Sequence, residues 1–194
     1  MLAVILVGGQ SRRMGSDKAM LPCGGKPMAQ LLIDRYRASG FEVAVSVDVA
    51  GRFALADATE LPDSFPGQGP LNGLYAAFTR TDADCVFLTG TDLPGGDPAL
   101  AKRLRELLGE ADACLIRRAD GTLETMFGVY TRRCLPEVER CLRAGRRAML
   151  APLDTLQLRL VEEAELPEWD LQRVLRNVNT PDEYENFCRE DLRS

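Results

Sequence analysis

The sequence predicts an α/β fold, a mostly parallel sheet with helices on both faces. Three observations predict it. Short apolar runs alternate along the chain with stretches of helical periodicity. The first run, Ala3–Val7, stops at a glycine pair and gives way to a polar, cationic loop. A second apolar run, Cys85–Leu88, ends on Gly90-Thr91-Asp92. Strand–helix alternation of this kind builds a parallel sheet covered on both faces. In such sheets ligands bind beyond the carboxyl ends of the strands, so the loops 8–18, 63–73 and 90–95 are expected to converge on one site.

Each element has its own justification. Ala3–Val7 is continuously apolar, as a buried strand is. Pro27–Ser39 carries Met28, Leu31, Leu32 and Tyr36 at helical spacing and stops before Gly40. Phe41–Val47 alternates and is rich in β-branched residues, a strand. Residues 51–70 collect prolines and glycines toward LPDSFPGQGP and read as a long loop. Leu71–Thr79 reads as a helix, Cys85–Leu88 as a strand, and Pro98–Leu108 as a helix with Asp97 at its N-cap. Ala113–Ile116 and Thr125–Tyr130 are strands joined through a turn at Asp120-Gly121. Pro136–Arg143 is a helix ended by Gly145, Arg147–Leu153 a second short helix, and Gln157–Val161 a strand. The last helix, Pro181–Glu190, has Thr180 as cap, Pro181 first and Glu183 third, a capping box.

Composition bounds the function. At 194 residues the chain is expected to form a single domain, 1–194, large enough to bury roughly 70% of its unfolded surface. A net charge of −5 argues against a nucleic-acid partner. No apolar run approaches the ~20 residues that span a bilayer, so no membrane partner is expected. The first residues lack a basic n-region and long h-region, and a cytoplasmic location follows as an expectation. The six cysteines include no C-x-x-C pair; thiols in that compartment are normally reduced. The chain has no histidine. Ser-His-Asp and Cys-His catalysis and His-ligated metals are therefore excluded. Carboxylates, Lys, Arg, hydroxyls, backbone amides or an oxygen-bound cation must carry any chemistry.

The stretch 3–21, AVILVGGQSRRMGSDKAML, is the most informative. Glycines let a backbone approach an anion, its N–H groups face the charge, and Arg or Lys neutralises it. Gly8-Gly9, Arg12-Arg13, Gly15 and Lys18 therefore read as a phosphate cradle. The spacing is neither the Walker A motif nor the Rossmann fingerprint. Asp92, just past a buried strand, is placed to hold Mg2+ against phosphate oxygens. Asp63, in LPDSFPG, is a second candidate carboxylate.

With LVGGQSRRMGSDKAMLPCGGKP on the page, the chain resembles the molybdenum cofactor guanylyltransferases of the MobA-like nucleotidyltransferase family. The matching positions are Gly8-Gly9, Ser11, Arg13-Met14-Gly15, Asp17-Lys18 and Gly25-Lys26-Pro27. The likeness continues through GPLNGL (69–74), TDLP (91–94), AGRRAML (144–150) and NVNTPDEY (177–184), nearly the full chain. It implies a three-layer α/β/α sandwich, Rossmann-like and of the nucleotide-diphospho-sugar transferase type. It implies transfer of GMP from GTP to molybdopterin, with release of pyrophosphate and with Mg2+ as cofactor. Other proteins of molybdenum cofactor biosynthesis, or acceptor proteins, would be transient partners.

The resemblance also implies roles. Backbone amides of Leu6, Val7, Gly8 and Gly9, with Arg13 and Lys18, would hold the triphosphate and base of GTP. Asp92 would bind Mg2+, and Asp63 would sit at the nucleotide or metal. Gly69, Pro70 and Leu71 would line the nucleotide pocket. Ser46 stands where the family often has asparagine near the nucleotide. Lys18, Arg13 and Asp92 would be catalytic. Asn177 and Asn179 would lie near the pterin side, and Arg146 and Arg147 would face the acceptor's phosphate. Thr91 replaces a usual cysteine, and TLETMF (122–127) lacks the family's Pro or His-Pro on the acceptor side. Three alternatives stay open at this point: a molybdopterin cytidylyltransferase, a sugar-phosphate nucleotidyltransferase, or a non-catalytic GTP-binding module.

Overall fold

The computed structural model describes residues 1–7, 18–65, 67 and 69–191. Its centre is a seven-stranded sheet. The strands are β1 (Leu2–Leu6), β4 (Glu42–Val47), β5 (Thr59–Pro62), β6 (Cys85–Gly90), β7 (Ala113–Arg117), β8 (Leu123–Thr131) and β9 (Leu158–Glu162). They lie in the order β5-β4-β1-β6-β8-β7-β9. All pairs are parallel except those made by β8, which runs against both β6 and β7. A separate small hairpin, β2 (Pro22–Cys23) and β3 (Lys26–Pro27), follows the first loop.

The central strands are apolar on both faces because helices cover both. Ala3, Ile5 and Val7 point into one core with α1 (Met28–Ala38), α3 (Pro98–Leu107) and the short α5 (Leu171–Val174). Leu2, Val4 and Leu6 point into the other with α2 (Pro70–Arg80) and α4 (Leu135–Arg143). These are the three layers the resemblance implies. The last helix, α6 (Pro181–Asp191), packs Phe187 onto Cys23, Met28 and Val178, a small core of its own.

Local signals behave as expected where they are capped. Asp97 accepts the Ala99 N–H at 2.7 Å and starts α3. The Thr180 hydroxyl accepts the Glu183 N–H at 3.3 Å, and the Glu183 carboxylate accepts the Thr180 N–H at 2.9 Å, closing the box. The β7–β8 hairpin turns at Asp120-Gly121, with Gly121 at φ 86°.

Three expectations are corrected. The long loop 51–70 contains β5, a four-residue edge strand whose Pro62 needs no ladder donor on that side. The helix expected over Arg147–Leu153 does not form; the segment is turns leading into a 3-10 turn at Leu153–Thr155. The cysteines are not all free: Cys23 and Cys188 are joined, Cα–Cα 5.4 Å, tying α6 to the β2–β3 hairpin. No helix among the described residues is long and apolar enough to cross a membrane.

Candidate active site

Register fixes where the ligand loops start. Leu6 stands opposite Ser46 on β4 and Gly90 on β6, so three strands end at one level. The next residues continue the ladder: Val7 N–H donates to Ser46 O, Asp63 N–H to Val47 O and Thr91 N–H to Leu6 O. The loops after β1, β5 and β6 therefore leave the same edge of the sheet. Gly8, Gly9 and Arg13, like the rest of 8–17, lie outside the described residues. Leu6 and Val7 bury their side chains, so only their backbone is available to a ligand.

Lys18, Asp92 and Asn179 come together across this edge. Lys18 is only 8% exposed. Its ammonium donates to Asn179 Oδ1 at 3.3 Å. Burial pushes its pKa below the usual 10.5, and the carboxylates of Asp92 and Glu183 pull it partly back. The capping box explains Glu183: caught by the N–H groups of Asn179 and Thr180, it is fixed beneath Lys18. The Asp92 carbonyl accepts the N–H of buried Val178 at 2.9 Å. The NVNTP segment thus bridges Lys18 and Asp92. Asn179 thus meets Lys18, while Asn177 is exposed.

Asp92 is held at the strand end by its surroundings. Its Oδ1 would lie 2.4 Å from a Cβ added at Gly90, so the carboxylate folds over that glycine. Arg35 donates to the Pro94 carbonyl, and Trp169 Nε1 donates to Asp97 at 2.9 Å. Among the described residues no three acidic or thiol groups cluster as a metal cage. A single hard carboxylate would still suit Mg2+ if a phosphate lay beside it, since Mg2+ draws its remaining ligands from phosphate and water.

Asp63 stands elsewhere. β5 and β6 are separated by β4 and β1, three strand spacings or about 14 Å. Asp63 thus leaves the sheet three strands away from Asp92. Burial pushes its carboxyl up, the Asn72 amide holds it down, and Asp48 adds to the push.

The segment 69–73 forms the start of α2, with Gly69 before it and Pro70 in its first turn. Leu71 is fully buried and belongs to the core, so it cannot line a pocket with its side chain. Gly73 explains how α2 comes so near the sheet: a Cβ there would sit 2.3 Å from Leu6 Cδ2 and 2.9 Å from Ser46 Oγ. Ser46 is accordingly buried beneath α2. Gly73→Ala is expected to lower stability by about 1–3 kcal/mol through overpacking, measured by urea unfolding; an unchanged midpoint would show that Leu6 moves aside freely.

The remaining cations are tied elsewhere. Arg146 reaches Cys141 Sγ at 2.8 Å and lies 3.7 Å from Glu137, on α4. Arg147 donates to the Gly67 carbonyl at 3.1 Å, on the loop after β5. Lys26 of the GGKP motif pairs with Asp34 of α1 at 2.5 Å. Two residues went unnoticed in the sequence. Glu124 on β8 is half-buried; burial raises its pKa against the pull of Arg118, with Asp120 and Asp92 adding to the rise. A lone acid within the strand LETMFGVYT was the available signal. Asn72 is the other, a fully buried amide within an apolar helix start.

A buried lysine and a strand-end carboxylate, gathered where a parallel sheet opens, mark an α/β protein that takes a nucleotide at its strand ends. The chain belongs to the MobA-like NTP transferase family, whose domain matches residues 3–159. At that level it is a nucleotidyltransferase. It is 29% identical over 192 residues to a probable molybdenum cofactor guanylyltransferase of Geobacillus sp., covering 96% of this chain and 97% of the relative. It is 33% identical over 184 residues to one from Opitutus terrae, covering 92% and 90%. Its fold matches that of molybdopterin-guanine dinucleotide biosynthesis protein A from Archaeoglobus fulgidus with a TM-score of 0.85, at 22% identity and full coverage of both chains.

Proposed function

We propose that the chain is a molybdenum cofactor guanylyltransferase: it transfers GMP from GTP to molybdopterin and releases pyrophosphate. One observation carries the reading. Lys18 and Asp92 meet beyond β6, and Asp63 follows β5, a strand about 14 Å from β6 across β1 and β4, so that a nucleoside triphosphate laid along the edge would meet charges suited to each end. Relatives described as such guanylyltransferases span nearly the whole chain.

At the phosphate end, Lys18 stabilises the charge that gathers on the departing pyrophosphate. Asn179 and Glu183 hold its ammonium in place. Asp92 is the residue that would hold Mg2+, which when bound neutralises charge on the phosphates. Arg13 and the amides of Gly8 and Gly9 complete the cradle in this reading. The terminal phosphate of molybdopterin forms a bond to the α-phosphorus, and the bond to the β-phosphate's bridging oxygen breaks with its electron pair leaving on pyrophosphate. A phosphate nucleophile is largely ionised at neutral pH, so no general base is needed and the lack of histidine costs nothing. Positioning and charge stabilisation do the work. At the other end, an ionised Asp63 accepts hydrogen bonds only. Guanine offers it two adjacent N–H donors; cytosine sets acceptors beside its one amino group. Glu124 borders the acceptor side next to Asp92. The reading also assigns the enzyme to the cytoplasm, with transient contacts to other proteins of the same biosynthesis.

Thermal-shift titration with GTP, ITP, CTP and ATP, each with Mg2+, tests it. GTP is expected to stabilise most. ITP, lacking the 2-amino donor, is expected to bind about tenfold or more weakly, as for one lost hydrogen bond to a charged group. Greater stabilisation by CTP than by GTP would overturn the guanine assignment.

A further inference from the structure

We infer that Asn72 is the positioning residue for the base-facing carboxylate: from inside the first turn of α2 it holds both Asp63 and the turn that follows it. The inference rests on the reading of Asp63 given above and adds a residue to it.

Position 72 lies among buried neighbours: Leu71, Gly73 and Leu74 are all core residues. Packing alone would favour an apolar side chain there. Asn72 is instead 0% exposed, and a primary amide brings two donors and a carbonyl acceptor that must find partners when buried. Two bonds are made on the turn side. Asn72 Oδ1 accepts the Phe65 N–H at 3.2 Å, and the Asn72 backbone N–H donates to Gly69 O at 3.1 Å. The residue thereby ties Phe65 to Gly69. Gly67 (φ 72°) and Gly69 (φ 68°) are both left-handed, and Arg147 donates to Gly67 O.

The third group, Nδ2, has no partner within hydrogen-bond geometry among the described residues. The other end of the same amide is fixed at Phe65, two residues beyond Asp63, and the amide holds the Asp63 carboxyl down against burial. A buried donor left open is costly, so it is a group waiting for a partner. An ionised carboxylate has roughly four lone-pair sites, enough to take two donors from a purine edge and still accept Asn72 from beneath. Asn72 Nδ2 therefore closes on Asp63 when the base is seated, and Oδ1 keeps the turn in register with it.

The test is equilibrium binding of GTP with Mg2+ by calorimetry to the full chain and to N72A, N72D, D63A and the D63A/N72A double variant. N72A is expected to bind GTP about tenfold more weakly, as for one lost hydrogen bond to a charged group. The loss in the double variant is expected to equal that of D63A within about twofold, because a residue that acts through Asp63 adds nothing once Asp63 is gone. N72D keeps the shape and the acceptor for Phe65 N–H but sets a second carboxylate against Asp63; it is expected to bind no better than N72A, and it carries the test should N72A fail to fold. GTP affinity equal to the unaltered protein in N72A and N72D, or losses that simply add in the double variant, would overturn the inference while leaving Asp63 in place. Unaltered GTP affinity in D63A would instead overturn the base-facing reading, and this inference with it.

Discussion

Replacing Lys18 by alanine is expected to lower kcat/KM for GTP by about 10²–10³-fold, the usual cost of losing one charge-stabilising donor from a water-excluded site. The ammonium is buried, bonded to Asn179, and flanked by the carboxylates of Asp92 and Glu183. Its lowered pKa adds two consequences. In the proposed role Lys18 would hold phosphate only when protonated, so kcat/KM is expected to fall on the alkaline side at a pH below the ordinary lysine value of 10.5. In Lys18→Arg that limb should disappear, because a guanidinium does not titrate there. The second consequence concerns stability. A lysine whose folded pKa lies below its unfolded value destabilises the native state while protonated; the cost is fully present below the folded pKa and vanishes above the unfolded one. Lys18→Met is therefore expected to raise the thermal midpoint of the nucleotide-free protein at neutral pH while abolishing activity. A lowered midpoint would mean that the ion contacts outweigh burial.

Asp92→Ala is expected to cost about 10³-fold in turnover, the several kcal/mol that a cation contributes to phosphoryl-type transfer. The effect should take a different form from that of Lys18. With Asp92 gone, the Mg2+ dependence of the rate should flatten or move to much higher concentration, while binding of metal-free GTP should weaken little. Near-normal turnover with unaltered Mg2+ dependence would remove Asp92 from its metal role. Asp92 also relieves the burial of Lys18, so the losses from the two single variants are not expected to add in the double variant.

The strand–loop framework of the site was legible because its signals are local. Apolar runs that end in Gly or Gly-Thr-Asp mark β1 and β6, and Thr180, Pro181 and Glu183 mark the helix start that carries Asn179 to Lys18. What escaped depends on contacts distant in sequence. β5 is four residues of mixed polarity, a strand only because β4 lies beside it. Turns stand where the short helix was expected over Arg147–Leu153, and Arg147 there bonds to Gly67, 80 residues away in the chain. Cys23 and Cys188 are separated by 165 residues and meet only when α6 packs on the β2–β3 hairpin. In the site, Lys18 and Asp92 could be named from their motifs. The separation of Asp63 from Asp92 needed the strand order, and the burial of Asn72 needed α2 placed against the sheet.

The central claim is that the enzyme cuts GTP between its α- and β-phosphates and passes the nucleotidyl group to a phosphate acceptor. The most direct measurement follows GTP labelled at the α-phosphate, and in a parallel reaction at the γ-phosphate, incubated with the protein, Mg2+ and molybdopterin. The account predicts that the α-label moves into a dinucleotide containing the pterin and the γ-label into pyrophosphate, both only when molybdopterin is present. Alpha-label that remains in GTP with acceptor and metal supplied, or γ-label released as inorganic phosphate, would contradict it.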